Sequence, residues 1–291
     1  MPHAQFPPSG AYKRVACPGS QAMEAPYPEV HSEWSDDGTA SHHLGAEALL
    51  TGLDCVAYVD SHITVRASGT HWGKGEGPDV RHVYLVDAVR AAFTQKYVDA
   101  VRAAVASLPG STLFVEQSLG IEGITGETGA RGTSDAVILA RTELQVRDLK
   151  YGKSPKGKVY ATENLQLIMY ALAALDAFDI FDEVATILLA VHQPRLDWVD
   201  EWRVSRADLE AWRPKLNKAA TFSRALAASG CSPVELHRAK HLAASDDACV
   251  FCKAKPACPA YAAFDKEREA ADAREHARRS ESITPTDEPL I

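Results

Sequence analysis

The stretch Val137–Lys153, with Asp135 just ahead of it, constrains the fold more than any other part of the chain. Two apolar runs, Asp135–Ala140 and Leu144–Leu149, flank a polar break at Arg141-Thr142-Glu143. Strand-length runs rich in β-branched residues, broken by a short polar connection, predict a β-hairpin. Side chains alternate along a strand, so Asp148 and Lys150 project to one face and Leu149 to the other. With Asp135 on the first strand, two acids and a lysine converge at one sheet edge. Such a set can hold a divalent metal ion and steady a developing negative charge.

The remaining pattern places helices and strands around that hairpin. Helices are predicted over 40–50, 83–108, 162–178 and 205–228, and strands over 113–119, 184–192 and 198–204. Residues 51–83 are poorly periodic. Within them Gly69–Gly77 is glycine-rich but has no G-K-S/T, so it reads as a mobile loop whose Trp72 and Lys74 could touch a substrate. Trp202 and Trp212 are expected to be structural. Glu116, inside a strand, is either a further metal ligand or a solvated residue. Of the adjacent His42 and His43, about 100° apart on a helix, one faces any site there.

After the hairpin, Lys150, Lys153, Lys156 and Lys158 fall within nine positions. A solvated loop is the plain explanation; beside Asp148, an edge that tracks phosphates is the functional one. On the helix 162–178, Gln166 and Tyr170 lie one turn apart and share a face outside the apolar stripe.

The second strong signal is Cys249-x2-Cys252-x5-Cys258. A fourth thiolate would complete a metal or cluster site, and Cys17 (in C-P-G-S) and Cys231 are the candidates; Cys55 reads as buried. Spacing alone leaves zinc and a [4Fe–4S] cluster open. The net charge of −8 excludes a protein coated in basic residues but not a local basic groove. No apolar run approaches the roughly 20 residues that span a bilayer. The opening M-P-H-A-Q-F-P-P-S-G has no signal-peptide pattern, so a cytoplasmic protein with no membrane contact is expected.

Taken in order, these pieces resemble the RecB-like nucleases of the PD-(D/E)XK superfamily that carry an iron–sulfur cluster. These include the CRISPR-associated RecB-like exonucleases, the AddB nuclease domain and phage-encoded RecB-like proteins. The matching pieces are Cys17-Pro18-Gly19-Ser20, Gly38-Thr39-Ala40-Ser41-His42, Gly132-Thr133-Ser134-Asp135, Asp148-Leu149-Lys150, Gln166 with Tyr170, and the three distal cysteines. His43 beside His42 leaves the ligand assignment open by one residue.

The resemblance implies an α/β fold with a restriction-endonuclease-like core, a mixed central sheet flanked by helices. It implies a single nuclease domain over 1–265, with its core at about 38–204. Cysteine segments 9–20 and 245–262 would join the two ends. By composition alone, 266–291 reads as a charged, disordered tail, with a helix expected to begin over 264–279. The resemblance further implies that His42, Asp135, Asp148 and the Leu149 carbonyl hold Mg2+ or Mn2+, and that Asp135, Asp148, Lys150, Gln166 and Tyr170 are catalytic. Cys17, Cys249, Cys252 and Cys258 would bind a [4Fe–4S] cluster, with Zn2+ as the alternative, and Lys153, Lys156 and Lys158 would contact DNA. The expected activity is metal-dependent hydrolysis of single-stranded DNA or DNA ends, as an exonuclease in phage or prophage recombination and repair. A helicase, recombinase or single-strand-binding protein is the expected partner. The rival expectation is a catalytically inactive DNA-binding or assembly protein with a structural zinc or iron–sulfur site.

Overall fold

The computed structural model describes residues 4–154, 157–179 and 183–281. Helices α1 (Ala11–Ala16), α2 (Ser20–Glu24) and α3 (Glu33–Thr51) come first, then strands β1 (His62–Arg66), β2 (Gly69–Trp72) and β3 (Val80–Leu85). Helix α4 (Ala88–Ser107), strand β4 (Thr112–Gly120), the short α5 (Glu122–Thr125) and strands β5 (Arg131–Leu139) and β6 (Glu143–Leu149) follow. Next are α6 (Leu165–Phe178), β7 (Thr186–Gln193), β8 (Trp198–Ser205), α7 (Arg206–Glu210) and α8 (Arg213–Ala228). The last elements are α9 (Pro233–Arg238), α10 (Asp246–Cys249) and α11 (Pro259–Glu281). Where the sequence suggests one domain over 1–265, the chain divides into two compact units. One comprises the residues up to 12 together with 29–221; the other comprises 13–28 together with 222 onward.

The first unit is built on a five-stranded mixed sheet in the order β4-β5-β6-β7-β8. The predicted hairpin is β5–β6, antiparallel, with Ala136 opposite Arg147 and Val137 opposite Val146. Strands β6 and β7 run parallel, with Asp148 beside Val191, while β7 and β8 are antiparallel. A parallel pair cannot be joined by a tight turn, and α6 occupies this crossover. Every residue from Leu167 to Leu175 is buried, as a helix apolar on all sides must be. It packs with Val137, Leu144, Val146, Ile187 and Leu189 from one sheet face. Ala136, Ile138 and Leu149, of opposite parity, pack on the other face with residues of α3, α4 and β1. Full burial of each such Leu or Ile contributes about 1.5–3 kcal/mol.

Three expectations from the sequence need correction. Within 51–83, read as poorly periodic, and the first residues of the helix predicted from 83, residues 62–85 form a small antiparallel sheet in the order β2-β1-β3. Its strands are short and lie between glycine turns, so no window is long enough to show a period. Trp72 lies on β2 and stacks on Tyr58 at 5.1 Å, which makes it a packing residue instead of a loop contact. The helix predicted from 83 begins at Ala88, because the Asp87 side chain caps it by accepting from the Arg90 N–H at 2.7 Å. The helix expected to begin over 264–279 starts at Pro259 and runs through Glu281 as α11, into the stretch read as a tail. Intrahelical pairs Arg268–Asp265 and Arg279–Glu275 accompany it. Trp202 and Trp212 pack against the core, as expected. Among the described residues, no helix is long and apolar enough to cross a membrane.

Candidate metal centre and cysteine cavity

The alternation of β5 and β6 sets the site. In the hairpin register Asp135 falls opposite Asp148, just beyond the last paired residues Ala136 and Arg147. The Leu149 N–H donates to Asp135 Oδ2 at 2.6 Å, which clips the first acid to the backbone after the second. The Lys150 ammonium lies 2.9 Å from Asp148 Oδ2 and donates to Gln166 Oε1 at 3.0 Å. Gln166 returns its amide to Asp148 Oδ1 at 3.0 Å. Its placement follows from the Asn164 cap, whose side chain accepts from the Gln166 and Leu167 N–H groups at 3.1 and 3.3 Å. Tyr170, one turn on, is buried. Gly132 lets it approach the sheet, since a Cβ there would sit 3.0 Å from the Tyr170 ring.

Of the two histidines, His42 reaches the acids: its Nδ1 is 3.1 Å from Asp135 Oδ1. His43 instead lies against Trp72, with ring centroids 5.2 Å apart. Glu116, left open by the sequence, joins them. Ligand atoms of His42, Glu116 and Asp135 all lie within 4.8 Å of one another, the one such group of three among the described residues. Glu116 adopts φ 47°, a left-handed conformation that is costly for a residue with a Cβ and concentrates at functional sites. The sequence signal was present, a carboxylate inside an otherwise apolar strand, but nothing in it marked the side. The cleft over this group is about 330 Å³, lined by Ser35, Gly38, Thr39, His42 and Glu116.

The electrostatics are those of negative charge gathered out of water. Burial pushes Glu116 up to about 7, with Asp135 and Asp148 adding to it against His42. Burial alone would lower His42, but Asp135, Asp148 and Glu116 together raise it to about 9. Asp135 is also penalised by burial, yet His42, Lys150 and the Leu149 N–H hold it below the usual carboxylate range. Burial and the Asp135 charge push Asp148 up against the pull of Lys150. Its Oδ2 is buried and faces the Lys150 ammonium at 2.9 Å. An imidazole nitrogen and converging carboxylates fit a hard divalent cation. Asp148 stands beside the triad of His42, Glu116 and Asp135. Leu149 contributes its N–H to Asp135, and its side chain belongs to the core.

The backbone after Lys150 is fixed from behind. The Tyr151 ring lies under the guanidinium groups of Arg195 at 4.9 Å and Arg90 at 5.7 Å. Both arginines bond Asp37, at 3.0 and 2.6 Å. Of the described loop lysines, only Lys150 faces the acids. The Lys153 ammonium lies 4.6 Å over the Trp34 ring and that of Lys158 4.1 Å over Trp198. Lys156 falls outside the described residues.

The cysteines belong to the second unit. Cys17, Cys249, Cys252 and Cys258 line one cavity with Met23, Leu242 and Tyr261. Cys231 is exposed and Cys55 is buried elsewhere. The C-P-G-S segment is seated by the Gly19 N–H, which donates to the His241 carbonyl at 2.8 Å. A Cβ at Gly19 would come 2.7 Å from Leu242 Cδ2 and 3.0 Å from the His241 carbonyl oxygen, so any side chain there crowds both. Glu24, also buried, takes Lys13 at 2.6 Å, Arg14 at 2.9 Å and the Lys253 N–H at 3.0 Å. That clip ties the Cys17 segment to the residue after Cys252. Burial raises the Cys17 thiol, and the other three cysteines add to the rise, as neighbouring thiols do. No three of the four sulfurs lie within 4.8 Å of one another. A tetrahedral zinc with bonds near 2.3 Å would set its sulfurs about 3.8 Å apart.

Comparison with known proteins gives two findings. A family model described as "Protein of unknown function (DUF2800)" matches residues 3–287. A solved structure described as the crystal structure of SSO0001 is similar over 86% of this chain and 96% of that one, at 14% identity and a TM-score of 0.29.

Proposed function

The chain belongs to the DUF2800 family, whose function is unknown, and we propose that it is a divalent-metal-dependent nuclease with a restriction-endonuclease-like core. The observation that carries this reading is the convergence of His42, Glu116 and Asp135 beside the linked set Asp148, Lys150 and Gln166. Carboxylates with a lysine at the end of one strand suit hydrolysis of a phosphodiester, where negative charge must be gathered, oriented and neutralised. His42, Glu116 and Asp135 would hold Mg2+ or Mn2+, with Asp148 alongside. The bound ion would supply an acidified water and polarise a phosphate oxygen. Lys150 presents a fixed cation to the charge that builds on the phosphate, an effect of preorganisation. Gln166 holds Lys150 and Asp148 in one geometry, and Tyr151 anchors the backbone that follows.

The four cysteines would carry a structural [4Fe–4S] cluster. Their shared cavity supports a bound group, with Zn2+ as the alternative occupant. DNA with a single-stranded end is the proposed substrate, and any unwinding falls to a partner protein.

The test is degradation of end-labelled single- and double-stranded DNA with Mn2+ or Mg2+, using protein purified without oxygen, with Asp148→Ala in parallel. Cleavage by the wild type and none by the variant supports the reading. No cleavage by folded, metal-loaded protein on any substrate moves the assignment to a DNA-binding or assembly protein.

A further inference from the structure

Trp34 is a large aromatic residue in the first turn of α3 and is 65% exposed. Core packing does not explain it. Two routes tie it to the metal centre. Along α3, Ser35, Gly38, Thr39 and His42 line the cleft that ends at Glu116. Eight residues of helix separate Trp34 from His42, about 12 Å of axial rise. Along the loop after β6, Lys150 contacts Asp148, and Lys153, three residues on, sets its ammonium 4.6 Å over the Trp34 ring. The cleft between is lined by small residues. A Cβ built on Gly38 meets nothing within 4 Å.

Two of the three acids in the run 33–37 are paired, while Glu33 is in none of the ion pairs of the described residues. Asp36 is hydrogen-bonded to His82 at 2.8 Å and paired with Arg81 at 3.5 Å. Asp37 is neutralised by Arg90 and Arg195. Lys153 stands at the outer end with no carboxylate partner among the ion pairs of the described residues.

We propose that Trp34 and Lys153 form the outer end of a single-stranded nucleic-acid seat, in which one base stacks on the Trp34 indole while the strand runs along the Ser35–Thr39 face of α3 to the metal centre. This rests on the nuclease reading and names its substrate form. A base must leave a duplex to lie on an indole, so the seat selects single strand over intact duplex. Stacking on an aromatic platform tolerates any base.

The test is a binding cycle in Ca2+, without turnover, using fluorescence anisotropy of a labelled oligothymidylate and of a blunt duplex. Trp34→Ala is expected to weaken single-strand binding roughly tenfold, within what one lost base stack produces. Trp34→Phe is expected to restore most of it, and duplex binding to stay unchanged. Oligonucleotides with one abasic position, moved along the strand, complete the cycle. One position should cost the wild type the same factor and cost Trp34→Ala nothing. Equal single-strand affinity for wild type and Trp34→Ala, or equal losses on single strand and duplex, overturns the seat. Matched melting curves exclude misfolding, which the exposure of Trp34 makes a small concern. Cleavage in Mn2+ is read separately. Cleavage with an unchanged Trp34→Ala variant sinks the seat alone. A positive binding cycle without cleavage leaves the seat standing and sinks the nuclease.

Discussion

Asp135 Oδ2 accepts a hydrogen bond from the Leu149 N–H at 2.6 Å, so the first acid of the site is held by the backbone that carries the second. This separates two roles that a single substitution would confuse. Asp135→Asn keeps an acceptor for the N–H but removes the charge. It should retain the fold and lose Mn2+ binding by titration calorimetry. Asp135→Ala should lose both, with an added stability cost of about 1–3 kcal/mol for the unsatisfied buried donor. Unchanged Mn2+ affinity in the asparagine variant would remove Asp135 from the metal site.

Metal affinity should rise with pH. Glu116 sits at about 7 and His42 at about 9, and both must lose a proton to serve as ligands. Binding therefore releases protons, and Mn2+ affinity climbs from pH 6 upward. In Glu116→Gln the overall affinity should fall, and the part of the climb near pH 7 should vanish. A pH profile identical to the wild type would place Glu116 outside the site.

Lys150 and Gln166 should separate in kinetics. If the site hydrolyses a phosphodiester, Lys150→Ala should lower kcat by roughly a hundred- to a thousandfold, with little effect on KM. Gln166→Ala leaves the Lys150 cation in place and loosens it. A roughly tenfold loss in kcat is expected, accompanied by a shift in the pH–rate profile as Lys150 and Asp148 lose a shared partner. Equal losses for the two variants would contradict the positioning role of Gln166.

The cysteines make a spectroscopic prediction. Anaerobically purified protein should carry iron and a broad visible absorbance. Cys252→Ser should lose both and lower the folded yield, whereas Cys231→Ser, at an exposed thiol outside the cavity, should keep them. Stoichiometric zinc with no iron would refute the cluster.

His192 predicts acid sensitivity of the first unit. It is 2% exposed and Arg147 lies 3.2 Å from its Nε2. Burial, then the Arg147 charge, lowers its pKa to about 3. The native state keeps the ring neutral, whereas the unfolded chain takes up a proton below its ordinary value near 6.5. Its stability contribution is thus complete above pH 6.5 and lost as pH falls toward 3, a few kcal/mol at most, or roughly 1.4 per unit. His192→Gln retains an acceptor for Arg147 and should flatten denaturant-derived stability across that window. An unchanged slope would assign the acid sensitivity to other groups.

The hairpin, the pairing of Asp148 with Lys150 on one face, the apolar helix carrying Gln166 and the cysteine spacing were all legible in the chain. Each depends on neighbours within a few residues, where alternation and helical period act directly on side-chain direction. The β1–β3 sheet was not, because its strands are short, and the central one is buried at three successive residues and so shows no alternation. Which histidine reaches Asp135, that Glu116 joins it, that Lys153 turns onto Trp34, and that Cys17 and not Cys231 shares a cavity with the distal cysteines were decided only by tertiary structure. Those relations join residues up to 241 positions apart, as between Cys17 and Cys258. They are fixed by sheet register, by a left-handed residue in β4 and by the close approach at Gly19. Local sequence sets the direction of each side chain; packing alone sets what it meets.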